Sequence, residues 1–317
     1  ICKIFIKDKK SHIYFIKWVY AMYLNFRVSK YSVVAVVLII TVICFSVIYS
    51  GFYPGSSQST ASISSKSDTR GVELPIVMYH SMLKDTKLQG QFVIDPAKFE
   101  EDLKYLKDNG YTTITASDLI DYVYNNKELP KKPIMLTFDD GYYNNYLYAY
   151  PLLKKYKCKA VISPIVYYSD LYSKSTDAPS PSYSHCTWKQ LKEMQNSGCV
   201  EIQNHSYNMH SQNGRLGIKQ KKGESSEEYK EVITQDISKA QNRFKEKLEY
   251  TPQAFVYPFG ALSDSSEEAI KALSFKASFT CEEKINIIAK DKNSLYLLGR
   301  FIRTNKMTTK ELFNKFQ

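Results

Sequence analysis

Residues 134–141 read Ile-Met-Leu-Thr-Phe-Asp-Asp-Gly, an apolar run that ends in two carboxylates and a glycine. The apolar part has the length and composition of a buried strand. Residues 200–210 repeat the arrangement, because a short Val-Glu-Ile run there precedes His205 and His210. Polar residues at the ends of strands are typical of α/β folds, which build their active sites at those ends. The two segments therefore predict an α/β fold with a site where the strands end.

Strand and helix patterns alternate from residue 73 onward, which predicts one α/β domain over 73–317, either a parallel barrel or a parallel sheet. After a first strand near 73–80, further strands are expected at 112–114, 134–138, 159–164, 199–203, 254–257, 276–280 and 297–302. Helices are expected at 96–109, 144–156, 187–198, 227–248 and 267–273, and one more is expected to begin at Ser117 as its N-cap. Residues 168–185 are rich in Ser, Pro and Tyr and predict a loop.

The first 72 residues predict a membrane anchor. Residues 31–50 contain no charged side chain, and twenty helical residues span about 30 Å, the thickness of a bilayer core. Residues 1–30 carry seven Lys and Arg side chains against one Asp, which predicts a cytoplasmic N-terminus. We expect a basic cytoplasmic segment at 1–30, a single transmembrane helix at 31–50, a Ser/Gly-rich stalk at 51–72 and an extracytoplasmic domain at the cell membrane. A cleaved signal peptide is the alternative.

Charge and cysteine content limit the classes of function that remain possible. The net charge is +11, and residues 1–30 contribute +6 of it. No compact stripe of Lys and Arg with interleaved aromatic residues follows, so no nucleic-acid partner is expected. A basic loop after His210 predicts either a solvated face or a contact with an anionic polymer; it contains Arg215, Lys219, Lys221 and Lys222. Four cysteines have no Cys-x-x-Cys spacing and are either disulfide partners or isolated thiols: Cys158, Cys186, Cys199 and Cys281.

The carboxylates and histidines at the strand ends suit a divalent cation. Asp139 and Asp140 are adjacent, and two like charges so close are costly unless a metal ion or a proton neutralises one. His205 and His210 would point about 140° apart on a helix, but in a turn they can converge on one ion. Asp140, His205 and His210 form a ligand set for Zn²⁺, with Co²⁺, Ni²⁺ or Fe²⁺ as alternatives. A solvated Asp-Asp-Gly turn and two surface histidines are the simpler alternatives.

These motifs resemble the polysaccharide deacetylases, the NodB-type domains of carbohydrate esterase family 4. The resemblance covers about residues 73–303 and rests on five motifs: Met-Tyr-His-Ser at 78–81, Thr-Phe-Asp-Asp-Gly at 137–141, Thr-Trp-x-x-Leu-x-x-Met at 187–194, His-Ser-x-x-x-His at 205–210 and Tyr-Pro-Phe-Gly at 257–260. It implies a distorted (β/α) barrel that removes N-acetyl groups from amino sugars. It also implies that Asp139 is the general base and that Asp140, His205 and His210 hold the metal.

Two departures from the family pattern concern the proton-transfer groups. Many members place an arginine before the Pro-Tyr/Phe-Gly motif to steady the base, but Tyr257 stands there in this chain, which leaves the pKa of Asp139 open. Many members also use a late histidine as the acid, and no histidine follows His210. The early Tyr-His pair and the five-residue histidine spacing resemble the poly-N-acetylglucosamine deacetylases, in which an N-terminal histidine serves as the acid. His80 matches that position, and a strand-end hydrogen bond is its alternative role.

The sequence therefore predicts a membrane-anchored, metal-dependent hydrolase that removes N-acetyl groups from an N-acetylglucosamine-containing polysaccharide, with peptidoglycan considered first. Asp139 is expected to take a proton from water and His80 to give one to the leaving amine, with a backbone N–H near Tyr143 stabilising the oxyanion. Substrate contacts are expected from Tyr143, Tyr257, Pro258 and Phe259, and His185 is expected at the surface. The alternatives are a carbohydrate-binding pseudoenzyme, because of the two departures, and an acetyl-xylan-type esterase. No obligatory protein partner is expected.

Overall fold

Parallel strands separated by helices make up residues 71–316, the part of the chain that the computed structural model describes. The predicted cytoplasmic segment, the transmembrane helix and most of the stalk lie outside these residues. Between residues 71 and 316, no helix combines the length and the apolar character that crossing a membrane requires. Val72 belongs to the first strand, so the folded domain includes a residue that we assigned to the stalk.

Four strands come first in the described residues, and from β4 onward strands and helices mostly alternate in chain order. The strands are β1 (Val72–Leu74), β2 (Ile76–Tyr79), β3 (Ser81–Met82), β4 (Val93–Ile94), β5 (Thr112–Ile114), β6 (Pro133–Asp140), β7 (Ala160–Pro164), β8 (Val200–Ile202), β9 (Ala254–Val256), β10 (Ala277–Phe279), β11 (Asn286–Ile288) and β12 (Phe301–Ile302). The α-helices are α1 (Pro96–Asp108), α2 (Ala116–Tyr124), α3 (Tyr150–Tyr156), α4 (Val166–Tyr172), α5 (Trp188–Asn196), α6 (Ser226–Leu248), α7 (Ser266–Ala272) and α8 (Thr309–Asn314). A π-helix covers Asn145–Ala149, and 3₁₀ helices cover Pro258–Gly260 and Lys292–Leu295.

The main sheet has the order β12-β2-β6-β7-β8, with β5 added beside the first half of β6, and all of its pairs are parallel. β9 and β10 form a second parallel pair. A parallel bridge between Asn204 and Phe255 links the end of β8 to β9, and another between Phe279 and Leu298 links β10 to the segment before β12. The predicted parallel α/β architecture is confirmed, and the carboxyl ends of its strands meet on one side.

The strands bury both of their faces, which explains why β6 reads as a continuous apolar run. Ile134, Leu136 and Phe138 belong to the cluster that packs against α1, α3 and α5. The side chains between them point the other way. There, five strands contribute to one buried cluster: Ile76, Met135, Val161, Val256 and Phe279. β6 therefore separates an inner core from an outer core.

Side-chain caps set the helix starts, and they explain where the predicted boundaries moved. Thr187 caps α5 as expected, and its hydroxyl accepts from the backbone N–H of Gln190. α2 begins after Thr115, which forms a capping box with Asp118, so the expectation that Ser117 is the cap was wrong. α4 overlaps the start of the predicted loop 168–185, and it has no capping side chain to signal where it begins. β3, β4, β11 and α8 were not predicted.

Candidate metal centre and its cavity

A cavity of about 620 Å³ opens at the carboxyl ends of the parallel strands. Asp139 and Asp140 end β6, His80 follows β2, His205 follows β8 and Phe259 follows β9, and all five line this cavity. Because parallel strands present their carboxyl ends at one edge, residues that are far apart in sequence converge there. The site lies where the two sequence motifs predicted it.

Asp140, His205 and His210 converge on one point. The Nε2 atom of His205 lies 3.5 Å from Oδ1 of Asp140, and Nε2 of His210 lies 3.3 Å from the same oxygen. One donor atom from each residue falls within 4.8 Å of the others. Three donors at this spacing, one carboxylate and two imidazoles, can surround a single divalent cation. The two simpler alternatives, a solvated turn and two surface histidines, do not describe this arrangement.

The protonation pattern of these residues fits a cation. Nδ1 of His205 lies 2.8 Å from the carbonyl oxygen of Val256; since that carbonyl only accepts, Nδ1 carries a proton and Nε2 is the nitrogen that faces Asp140. Oδ1 of Asp140 is buried and has no hydrogen-bond partner among the described residues. Burial raises the pKa of Asp140, but His205, His80 and His210 outweigh it and lower the pKa. An ionised oxygen without a hydrogen-bond partner among the described residues faces the Nε2 atoms of two histidines, and a divalent cation would complete this set.

The turn after β6 aims Asp140 into the cavity through two consecutive left-handed residues. Asp140 has φ +66° and Gly141 has φ +70°. A Cβ at position 141 would lie 2.5 Å from Cβ of Pro164, the last residue of β7. Only glycine combines this backbone conformation with so close an approach. The glycine of the Asp-Asp-Gly motif is therefore required by the ligand's geometry.

Asp139 is buried and held by Arg300, which the sequence analysis did not identify. The Arg300 guanidinium donates to both Asp139 oxygens, at 2.7 and 2.8 Å, and its Nε donates to the Thr280 carbonyl at 2.8 Å. Burial raises the pKa of Asp139, but Arg300 outweighs burial and lowers it. The arginine that we found missing at Tyr257 is thus replaced by one that lies just before β12. In the sequence, this residue is recognisable as a single arginine within the apolar run 297–302.

His80 lies on the same wall of the cavity as Asp139. Its Nε2 is 4.0 Å from Oδ2 of Asp139, and its side chain is 15% exposed. Burial lowers the pKa of His80, although Asp139 and Asp140 oppose the shift. Its Nδ1 is buried without a hydrogen-bond partner among the described residues, so the alternative role in a strand-end hydrogen bond is not what the structure shows. A largely neutral imidazole therefore lies close to the buried carboxylate.

Only one of the three predicted substrate residues in the Tyr-Pro-Phe-Gly motif reaches the cavity. Phe259, which is 37% exposed, lines it with its ring centroid 4.1 Å from that of His210. Tyr257 is fully buried and packs edge-on against Phe255 at 5.4 Å, within the cluster formed with α6 and α7. Pro258 is also buried and does not line the cavity. We correct the expectation for Tyr257 and Pro258; the contact of Phe259 with substrate stays a prediction.

Tyr143 is also displaced from its predicted role. Its backbone N–H donates to the carbonyl oxygen of Ser184 at 2.8 Å, so it is not free to stabilise an oxyanion. Its ring stacks on Tyr146, with 6.2 Å between centroids. Tyr142 lines the cavity instead, and its hydroxyl faces the carboxylate of Asp140. The difference arises because Tyr142 pairs with His185 in an antiparallel bridge, which turns the next residue away.

His185 is buried, which corrects the expectation that it lies at the surface. Its side chain is 8% exposed, and its ring stacks on Tyr168 at 4.3 Å and packs against Tyr142 at 4.7 Å. Burial lowers the pKa of His185 to about 4. The bridge to Tyr142 pulls the end of the polar segment 168–185 into the protein, a tertiary contact that its composition does not reveal.

The structure also places the four predicted cysteines and the basic loop that follows His210. Cys158, Cys186, Cys199 and Cys281 are free thiols, and Cys281 lines the cavity. Arg215 donates to Glu224 at 3.0 Å, so this member of the basic loop forms an ion pair and is not a free cation.

The chain is similar to known proteins over the part that carries this site. The model of the family described as polysaccharide deacetylase matches residues 126–278. The poly-β-1,6-N-acetyl-D-glucosamine N-deacetylase of Escherichia coli (strain K12) is 25% identical over 272 residues, which cover 80% of this chain and 40% of that protein. This chain therefore spans about two fifths of that relative's length.

Two solved structures resemble the domain closely. The Streptococcus pyogenes deacetylase PplD, solved in complex with acetate, gives a TM-score of 0.64 at 26% identity and covers 78% of this chain and 99% of its own. A de-N-acetylase from Aggregatibacter actinomycetemcomitans gives 0.65 at 27% identity and covers 77% of this chain and 100% of its own. Both matches extend over nearly the whole of the compared protein.

Proposed function

Since this chain belongs to the polysaccharide deacetylase family, we propose that it hydrolyses the N-acetyl groups of an amino-sugar polymer, releasing acetate and leaving a free amine. One observation carries the proposal: the Asp140-His205-His210 set and the Arg300-held Asp139 share one cavity. The shared inner cluster and the two parallel bridges support the distorted barrel that the family resemblance implies.

Each residue of the cavity has a separate task in the proposed mechanism. A divalent cation held by Asp140, His205 and His210, for which we propose Zn²⁺, would polarise the acetyl carbonyl and acidify the attacking water. Asp139 is ionised, because Arg300 lowers its pKa, and it accepts the proton of the attacking water. Arg300 fixes the orientation of the carboxylate through two hydrogen bonds.

Expulsion of the amine requires a second proton transfer. The amide C–N bond breaks only when the nitrogen leaves with a proton, because an amide anion is a poor leaving group. His80 lines the cavity 4.0 Å from Asp139, and the two groups must approach further before a proton held on that carboxylate can pass to the imidazole. A resting His80 that is largely neutral can receive this proton and give it to the nitrogen. The products are acetate and the glycan amine.

The cavity lining favours an uncharged polymer. The described residues that line it include two aspartates, three histidines, Tyr142 and Cys281. None of the described lining residues is Lys or Arg. Leu88 and Phe92, which are 47% and 49% exposed, lie along the rim. The lining therefore offers no lysine or arginine side chain that could pair with an anionic group of a glycan. We therefore propose a neutral N-acetylglucosamine polymer ahead of peptidoglycan, which reverses the order expected from the sequence.

Two features support catalysis over the binding-only alternative. The pseudoenzyme interpretation rested on the absent arginine and the absent late histidine. Arg300 occupies the place of the first, and His80 lies where a proton donor is needed. An acetyl-xylan-type esterase would use the same residues, so substrate comparison must separate the two hydrolases.

The test is acetate release from a panel of acetylated glycans by the zinc-loaded full chain. We expect equimolar acetate and free amine from a neutral N-acetylglucosamine oligomer, less from peptidoglycan, and none with the Asp140→Ala chain. A wild-type chain that binds zinc but releases no acetate from any acetylated sugar would establish the binding-only alternative. Faster release from peptidoglycan would overturn the argument from cavity charge.

We also propose that the domain acts outside the cell, tethered through residues 31–50. Protease added to intact cells should then cut within residues 51–70 and release an active domain. A domain that stays protected in intact cells would contradict this location.

A further inference from the structure

The segment between His205 and His210 has no regular secondary structure, and side chains hold its shape. Its four intervening backbone N–H groups all donate to side-chain oxygens. These bonds are Ser206 N to Asn204 Oδ1 at 2.7 Å, Tyr207 N to Asp236 Oδ1 at 2.7 Å, Asn208 N to Asp236 Oδ2 at 2.9 Å and Met209 N to Ser206 Oγ at 3.0 Å. Only Asp236 comes from outside this part of the chain.

Asp236 reaches the segment from α6. The neighbouring residues Ile233 and Ile237 are fully buried and fix this part of the helix against the sheet. The carboxylate offers two acceptor oxygens, and each takes one of the two adjacent N–H groups of Tyr207 and Asn208. An amide or a hydroxyl of similar size cannot accept at two separate atoms in this way.

The two histidines depend on this segment to different degrees. His205 has a second anchor, because its Nδ1 donates to Val256. His210 has no comparable hydrogen bond among the described residues; its ring packs against those of Phe259 and His205. The position of its Nε2 relative to Asp140 therefore follows from the shape of the segment that precedes it.

We propose that Asp236 is a positioning residue of the metal centre. It does not reach the cation, but it holds the 205–210 turn in the shape that brings both Nε2 atoms to Asp140. The inference rests on the metal site of the proposed function. Asn208 is exposed, so water can satisfy its N–H when Asp236 is replaced. Loss of the carboxylate should therefore loosen the turn and leave the fold in place.

The test compares zinc release from two variants of the full chain. Asp236→Asn keeps the size of the side chain but offers one acceptor atom in place of two. Glu231→Gln is the matched control, because Glu231 is an exposed acid on the same helix. Zinc release to an excess of chelator should be at least about tenfold faster in Asp236→Asn, the scale on which groups that orient metal ligands act, and unchanged in Glu231→Gln.

The cobalt-substituted chains give a readout that a purely structural role would not change. The visible absorption of Co²⁺ reports ligand geometry, and we expect it to differ from wild type only in Asp236→Asn. Wild-type zinc release together with a wild-type cobalt spectrum in Asp236→Asn would overturn the proposal, and so would equal zinc loss from Glu231→Gln.

A measurement on the wild-type chain covers the case in which Asp236→Asn does not fold. The amides of Tyr207 and Asn208 should be protected from hydrogen exchange in the metal-free protein. Exchange at the rate of an unstructured peptide would overturn the proposal. None of these three readouts uses the deacetylase assay. A chain that binds zinc normally but is inactive therefore refutes the proposed activity alone, whereas a wild-type chain that binds no zinc refutes both proposals.

Discussion

Arg300 and Asp139 lie 161 positions apart in the sequence, yet the guanidinium of one donates to both carboxylate oxygens of the other at 2.7 and 2.8 Å. Both side chains are buried. Such a pair is asymmetric in its consequences, because removing one partner leaves an uncompensated charge inside the protein. The pair therefore couples the ionisation of the proposed base to a residue that lies elsewhere in the fold.

Replacing Arg300 should move the acidic limb of the pH–rate profile to higher pH. Burial raises the pKa of Asp139 and Arg300 lowers it, so Arg300→Met removes the lowering influence and leaves a base that is protonated over a wider range. Activity near neutral pH should fall by about 10²-fold or more. The measurement is kcat/KM against pH at full zinc occupancy, with Lys230→Met on the exposed face of α6 as the control. An unchanged acidic limb would show that Arg300 does not control the pKa of Asp139.

His205→Ala and His210→Ala should each lose bound metal and activity while the domain stays folded. Each substitution removes one of three donors that lie within 4.8 Å of one another. Metal content after dialysis, measured by atomic emission, and circular dichroism of the same samples check this result. Full metal stoichiometry in either variant would remove that histidine from the ligand set.

Asp139→Asn should keep the metal and lose turnover. Its oxygens face Arg300 and His80, and the group of converging metal donors contains Asp140 in its place. Loss of a general base slows turnover by roughly two to four powers of ten. Metal content and single-turnover rate, measured together, separate the two aspartates. If Asp139→Asn loses metal as Asp140→Ala does, the roles of the two residues are reversed.

His80→Ala should slow amine release more than it weakens metal binding, because the relayed proton then has no imidazole to carry it to the nitrogen. His80 lines the cavity near Asp139, and burial lowers its pKa. Tyr257 cannot replace it as a proton donor, because Tyr257 is fully buried and does not line the cavity. Amine release at the wild-type rate in His80→Ala, measured in single-turnover experiments, would assign the proton transfer to another group in the cavity.

His185 should make the stability of the domain depend on pH below neutrality. Its pKa is about 4 in the folded protein and about 6.5 in the unfolded chain, so the unfolded chain takes up the proton first as the pH falls. The contribution is complete above about pH 6.5 and is lost progressively down to pH 4, by roughly 3 kcal/mol at most. The free energy of unfolding, measured with urea at pH 7 and at pH 4.5, should differ less between the two pH values in His185→Phe than in wild type. Equal differences would mean that His185 is not buried in its neutral form.

The sequence allowed prediction of the features that depend on neighbouring residues. β6 with its terminal aspartates and the turn from His205 to His210 each lie within one short segment, so apolar patterning and ligand chemistry were enough. Arg300, His185 and Asp236 act through contacts with distant elements, and no local pattern reports such contacts. Tyr257 was misplaced for a related reason: its ring packs in the buried cluster formed with α6 and α7, and no local pattern reports that contact.

The left-handed backbone of Asp140 has a consequence for the lifetime of the protein. A non-glycine residue in this conformation costs of order 1–2 kcal/mol, and its buried Oδ1 has no partner among the described residues. Both costs fall on the metal-free fold, and a bound cation would offset the second. By mass action, folding and metal supply would then be linked. A shortage of the metal would then abolish the activity of the domain and also make the domain more susceptible to proteolysis.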